Sequence, residues 1–238
     1  VKLVALFLAY AATSAAGFIS DLVVYSTADI YSAGHATLPY TIYPGSFAPS
    51  VSFPAAADQV LTFSSVSGLV GCNFVITNGP DGTCFPDVST TVTSYDGLSG
   101  ISAYDENFFM VGVFLGDTEP ADPPPATLLY DYGTPGSLTN ADPTYQPELD
   151  QVFFIGDGLT GTGTGEQQQF YVPATATRFY LGFADSFDSV PSYYADNVGS
   201  LNADFQISSS PEPSNLFAGA IGLILTVVVS RRKSTRPC

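Results

Sequence analysis

The sequence predicts an all-β protein: an antiparallel β-sandwich flanked by an N-terminal signal helix and a C-terminal hydrophobic anchor helix. Three observations carry that prediction. Residues 17–209 are rich in Val, Thr, Phe and Tyr, and most of the 22 Gly and 18 Pro punctuate them, a mixture that favours short strands joined by turns. Helical periodicity is missing from this stretch, whereas short apolar or alternating runs recur between turn residues. Both ends differ in composition from the middle, leaving 17–209 as one domain with enough chain to bury a core.

Taken in order, Lys2 precedes an apolar run over 3–12, and Ser14-Ala15-Ala16 supplies small residues. A positive start, an apolar centre and a small-residue cut read as a secretory signal peptide over 1–16. Strands are then expected over 59–66, 72–77, 108–115, 127–132, 151–155, 168–172, 177–183 and 201–207. In the last of these, Leu201, Ala203, Phe205 and Ile207 alternate with Asn202, Asp204 and Gln206, which gives one buried and one wet face. The run 108–115 is apolar on both faces and is expected at the centre of a sheet. A Pro-rich loop covers 119–125. The Gly/Thr-rich segment 156–165 reads as a hairpin loop, since no Lys and no following helix equip it to cradle phosphate.

Cys72 and Cys84 sit twelve apart around Asn78-Gly79-Pro80-Asp81-Gly82. In an oxidising compartment they are expected to close one disulfide loop, stabilising the fold by roughly 2–4 kcal/mol. Cys238 ends a basic tail. No CxxC occurs and His35 is the single histidine, so a zinc site is not expected.

Charge is distributed unevenly. Of 22 acids and six bases, residues 17–209 hold 21 acids and only Arg178, a net of −20. Such a surface repels phosphate backbones, so nucleic acid is excluded as a partner. It attracts cations, hard divalent ions above all, or it serves only to keep an exported protein soluble.

At the far end, Ser208-Ser209-Ser210 leads into Pro211-Glu212-Pro213, then an apolar run over 216–229, then Arg231-Arg232-Lys233. The run is short for a full span, although with its flanking serines it can cross a thin bilayer, the basic cluster staying cytoplasmic. This tripartite order over 210–238 resembles the PEP-CTERM sorting signal. The resemblance implies an exosortase-type processing enzyme as partner, a membrane anchor, and display at the cell surface or in the extracellular matrix. Ser210 departs from the Val or Ile usual before the motif.

The segment 170–207 carries the candidate chemistry. After a strand ending at Phe183, a loop presents Asp185, Asp188, Tyr193, Asp196 and Asn197 before the next strand at Leu201. Calcium takes six to eight oxygens from carboxylates, amides, backbone carbonyls and water, and this loop offers the first three kinds. Acidic loop residues are, on the other hand, commonly just solvated. The residues Phe170-Tyr171-Val172-Pro173-Ala174, Arg178 to Phe183, and Val190-Pro191-Ser192-Tyr193-Tyr194-Ala195-Asp196-Asn197-Val198-Gly199-Ser200 resemble the C-terminal half of the calcium-dependent galactose-binding bacterial lectin family. That family is a small β-sandwich in which sugar hydroxyls complete the coordination of a loop-bound calcium.

The resemblance implies that Asp196 and Asn197 stand for two consecutive amide ligands and Tyr193 for a carbonyl ligand. Asp185 or Asp188 stands for the leading aspartate, with Asp185 preferred because it follows the strand directly. Asp185, Asp196 and Asn197 would then also meet the carbohydrate. Asp in place of the first amide, Val198 in place of a small polar residue, and a longer loop depart from the family's pattern. A further carbonyl ligand is expected near 78–82. Phe187, Tyr193 and Tyr194 can stack on a pyranose ring or simply pack.

Nothing points to an enzyme. His35 lies among Ser32, Ala33 and Gly34 without a nucleophile motif, and no acid and nucleophile stand out among the carboxylates for glycoside hydrolysis. The expected function is therefore an exported calcium-binding protein with a carbohydrate-recognition role. The alternatives are a structural surface or biofilm-matrix protein without a sugar ligand, and a secreted glycoside hydrolase.

Overall fold

The computed structural model describes residues 17–39, 42–76, 78–135 and 137–209. The signal segment 1–16 and the sorting segment 210–238, with Pro211-Glu212-Pro213, lie outside the described residues. Among the described residues the chain is all-β, its only helical turns being the two 3-10 turns Ile30–Ser32 and Tyr194–Asp196. No helix there is long and apolar enough to cross a membrane.

Two main sheets form. One places strands Phe18–Tyr25, Val198–Ser209, Gln59–Gly71, Gln169–Tyr171 and Thr144–Tyr145 side by side in that order. The other runs Val152–Phe154, Met110–Leu115, Arg178–Phe183, Ala28–Asp29 and Ser46–Phe47, with Ser50–Ser52 also paired to Arg178–Phe183. A three-stranded sheet (Thr90–Val92, Ile101–Ala103, Leu128–Tyr130) and two small hairpins complete the domain.

The two main sheets pack face to face through aromatic rings. Phe179 of the second sheet lies 5.4 Å from Phe205 and 6.4 Å from Phe63 of the first, and 5.0 Å from its own neighbour Phe114. Phe153 meets Phe170 across the same interface at 5.4 Å. Tilted and edge-on pairs of this kind add to the burial of large apolar surface. Along Val198–Ser209 the alternation holds: Leu201, Ala203, Phe205 and Ile207 are buried, and Asn202, Asp204 and Gln206 are exposed. Met110–Leu115 is buried at every position because it has a strand on either side and side chains covering both faces.

Three expectations change. The sheets are mixed rather than antiparallel: Phe183 pairs with Asp29, Ala28 with Ser46, Thr144 with Gln169 and Ile101 with Leu128, all in parallel. Long connections rather than tight hairpins deliver these two- or three-residue strands, so nothing forces reversal of direction. The stretch 72–76 is a loop, since Asn73 and Phe74 turn in the left-handed region (φ 55° and 62°) and Phe74, Val75 and Ile76 are left exposed; Thr77 lies outside the described residues. The opening strand Phe18–Tyr25 was not anticipated. Its outward Ile19, Val23 and Tyr25 blur the alternation that a half-wet strand ordinarily shows.

Cys72 and Cys84 form a disulfide with Cα atoms 6.2 Å apart, closing the loop against the paired carbonyls and amides of Val70 and Asn78.

Candidate functional site

The site lies where Arg178–Phe183 ends and Val198–Ser209 begins, so one edge belongs to each main sheet. Asp185 follows the first strand directly. Ser186–Phe187 and Val190–Pro191 then form a hairpin whose two turn residues, Asp188 and Ser189, have φ of 50° and 66°, the backbone of a type I′ turn. Tyr193, also left-handed at φ 68°, starts the 3-10 turn Tyr194–Asp196, and Asn197 closes it by donating its backbone N–H to Tyr194 O.

This geometry brings Asp185 and Asn197 together, twelve residues apart in sequence. The Asn197 amide nitrogen donates to Asp185 Oδ2 at 2.9 Å, and Ser186 N–H donates to Asp185 Oδ1 at 2.8 Å. Asn197 is 4 % exposed, and its Oδ1 is buried with no hydrogen-bond partner among the described residues. Burial pushes the Asp185 carboxyl up to about 6, against the pull of its Asn197 and Ser186 hydrogen bonds, and the nearby Asp196 charge adds to the rise. Asp196 is half-buried and raised by burial, and its carbonyl accepts Phe74 N–H at 2.7 Å.

The other expected residues are placed differently. Asp188 sits exposed at the hairpin tip. Tyr193 is held by donation of its N–H to Ile42 O, while its own carbonyl meets Asp196 N–H at only 3.5 Å. Its ring lies between Tyr43 at 5.3 Å and Phe187 at 5.2 Å, both outward-facing, at 56 % and 47 % exposure. Tyr194 is fully buried, so it is packed rather than presented for stacking. Gly45 is what allows this: a Cβ there would lie 2.6 Å from Tyr194 Cβ and 2.2 Å from Thr27 O.

Sequence reasoning missed two contributors from the start of the chain. Asp29, 1 % exposed, lies opposite Phe183 in the parallel pairing and caps the turn Ile30–Ser32 by accepting Tyr31 N–H at 2.9 Å. Its carboxyl is pushed up to about 6, by burial first and last by the charge of Asp185, with hydrogen bonds from Tyr31 N–H and the Tyr194 hydroxyl opposing. Tyr43 supplies the second exposed ring, beside Phe187. The signal for Asp29 was an acid inside an otherwise apolar stretch, Ala28-Asp29-Ile30-Tyr31; nothing local marked Tyr43.

The segment 78–82, where a further carbonyl ligand was expected, is engaged elsewhere. Pro80 O accepts Met110 N–H at 2.9 Å and Asp81 Oδ1 accepts Asp157 N–H at 2.9 Å. The disulfide loop reaches the candidate site through Phe74 instead. His35 Nδ1 lies 2.8 Å from Glu119 Oε1, an ion pair at best rather than a base beside a nucleophile. Among the described residues, no group of three or more His, Cys, Asp or Glu side chains forms a ready metal cage; the oxygens at hand are two neighbouring carboxylates, an amide and backbone carbonyls.

No protein-family model, curated protein or solved structure matches this chain.

Proposed function

We propose that the chain is an exported cell-surface or matrix-associated β-sandwich protein that binds calcium through the 185–197 loop and recognises carbohydrate above it. The observation that carries the reading is the half-buried Asp185–Asn197 contact with its buried, partnerless amide oxygen. An amide turned by half a rotation would present Oδ1 beside the carboxylate, an arrangement that a cation between them, or a proton on Asp185, stabilises, and amide orientation follows the hydrogen-bond partners present. Asp185, Asn197, Asp196 and the Tyr193 carbonyl are the residues that would hold the ion. Calcium would supply a point of positive charge to which vicinal hydroxyls of a sugar add directly.

The exposed rings of Tyr43 and Phe187, with the half-buried ring of Tyr193 between them, support the carbohydrate half of the reading, because a pyranose presents C–H faces that suit aromatic surfaces. Export, and anchoring through Pro211-Glu212-Pro213 by an exosortase-type enzyme, complete the proposal, with an exopolysaccharide as the matching ligand class. The burial of Asn197 favours a second reading, in which calcium is structural and no sugar reaches it.

The test is a glycan screen of the full chain with calcium and with chelator, beside thermal unfolding in both. Under the first reading, calcium raises the melting temperature, Asp196→Ala abolishes that rise, and glycan binding disappears with chelator or with Tyr43→Ala/Phe187→Ala. A calcium-induced rise without glycan capture selects the structural reading. Turnover of a polysaccharide would replace both with a hydrolase.

A further inference from the structure

Resting on the calcium reading above, we infer that Asp29, from the opposite end of the chain, is a further carboxylate ligand of the same cation site, joining Asp185. In the parallel pairing Asp29 stands beside Phe183. Asp185 follows two residues later, just past the end of that strand, so the register brings the two acids to one edge of the sheet, near enough for the Asp185 charge to act on the Asp29 carboxyl. Two carboxylates so placed can share one ion.

The Tyr194 hydroxyl reaches both: it accepts Asp185 N–H at 3.2 Å and donates to the carbonyl of Phe183, the residue paired with Asp29, at 3.3 Å, and it opposes the rise of the Asp29 carboxyl. Around the pair lie two buried oxygens with no hydrogen-bond partner among the described residues, Asn197 Oδ1 and the Tyr31 hydroxyl. Asn197 is aimed into the cluster by its bond to Asp185, and the Tyr31 hydroxyl interacts electrostatically with both Asp29 and Tyr194.

Nothing basic balances this charge. Arg178, the one Lys or Arg of residues 17–209, is at the far end of the same strand, about 16 Å along it from Phe183. Its guanidinium is already taken up by Gly116 O at 2.7 Å and Thr118 O at 2.6 Å. Two carboxylates drawn out of water, beside the partnerless oxygens of Asn197 and Tyr31 and with no basic side chain to pair them, call for a doubly charged, oxygen-seeking ion. A monovalent ion would leave half the charge uncompensated. Asp29 thus draws the ion inward, so that residues 28–31 are clamped to the 185–197 loop when it binds.

The full chain in detergent micelles is titrated with calcium by calorimetry as wild type, Asp29→Asn and Asp188→Asn. Wild type is expected to bind, Asp188→Asn to match it, and Asp29→Asn to bind about 10- to 100-fold more weakly or not at all, a loss at least as large as outer-shell changes cause. Equal affinity in Asp29→Asn and wild type overturns the inference while leaving the calcium reading intact. Absence of binding by wild type overturns the calcium reading itself.

A second measurement stands even if Asp29→Asn fails to fold. The chain has 14 Tyr and no Trp, so terbium in the calcium site is excited only through tyrosine. In a chain carrying Tyr43→Phe, Tyr193→Phe and Tyr194→Phe, adding Tyr31→Phe should leave terbium bound yet lower its emission several-fold. Unchanged emission would place the ion away from the 28–31 segment and overturn the inference.

Discussion

Replacing Asp29 by Asn, with chelator present, should change how stability depends on pH. Asp29 is 1 % exposed and its carboxyl titrates near 6 in the folded chain, against 3.8 as the ordinary value. Between those values the native state holds a proton that the unfolded state has released, so stability falls as pH rises. The favourable contribution is fully present below 3.8 and lost once pH has passed through 6. A displacement of about two pH units corresponds to about 3 kcal/mol, which for a domain of this size is about 6–12 °C in melting temperature. Asp81 and Asp185 are also pushed up to about 6 by burial, so the wild-type profile contains their contributions with the same sign. The informative quantity is therefore the difference between wild type and Asp29→Asn. Asn keeps the Oδ1 acceptor for Tyr31 N–H and carries no charge at any pH. Thermal unfolding from pH 4 to pH 7 in chelator should show wild type losing stability relative to the variant as pH rises. Parallel profiles across that window would refute the claim that Asp29 is ionised against its surroundings at neutral pH.

Two further perturbations test the frame that holds the site. Phe179→Ala removes a ring that meets Phe63, Phe114, Phe153 and Phe205; urea unfolding should register a loss of about 3–5 kcal/mol, and a loss below about 1 kcal/mol would contradict the packing of the two sheets. Cys72→Ser with Cys84→Ser opens the loop that supplies Phe74 N–H to Asp196 O, and should cost about 2–4 kcal/mol, with hydrogen exchange at Phe74 accelerated.

The sequence by itself determined the β composition, the placement of most core strands and the candidate loop, because each depends on residues close together in the chain. The alternation of Leu201, Ala203, Phe205 and Ile207 and the unbroken apolar run Met110–Leu115 are local patterns, and burial respects them. The contiguous order Asp185 to Asn197 was legible for the same reason. Tertiary structure alone decided which distant residues meet that loop. Asp29 and Tyr43 arrive from more than 140 positions away, through a two-residue parallel strand and a turn that no periodicity announces. It also decided direction: with so few residues per strand, pairing follows from which apolar side chains fill the shared core and not from any signal within the strand. Asp188 shows the converse. It stands nearer the turn than Asp185 in sequence, yet a left-handed hairpin carries it out to solvent, because backbone geometry over two residues outweighs proximity along the chain.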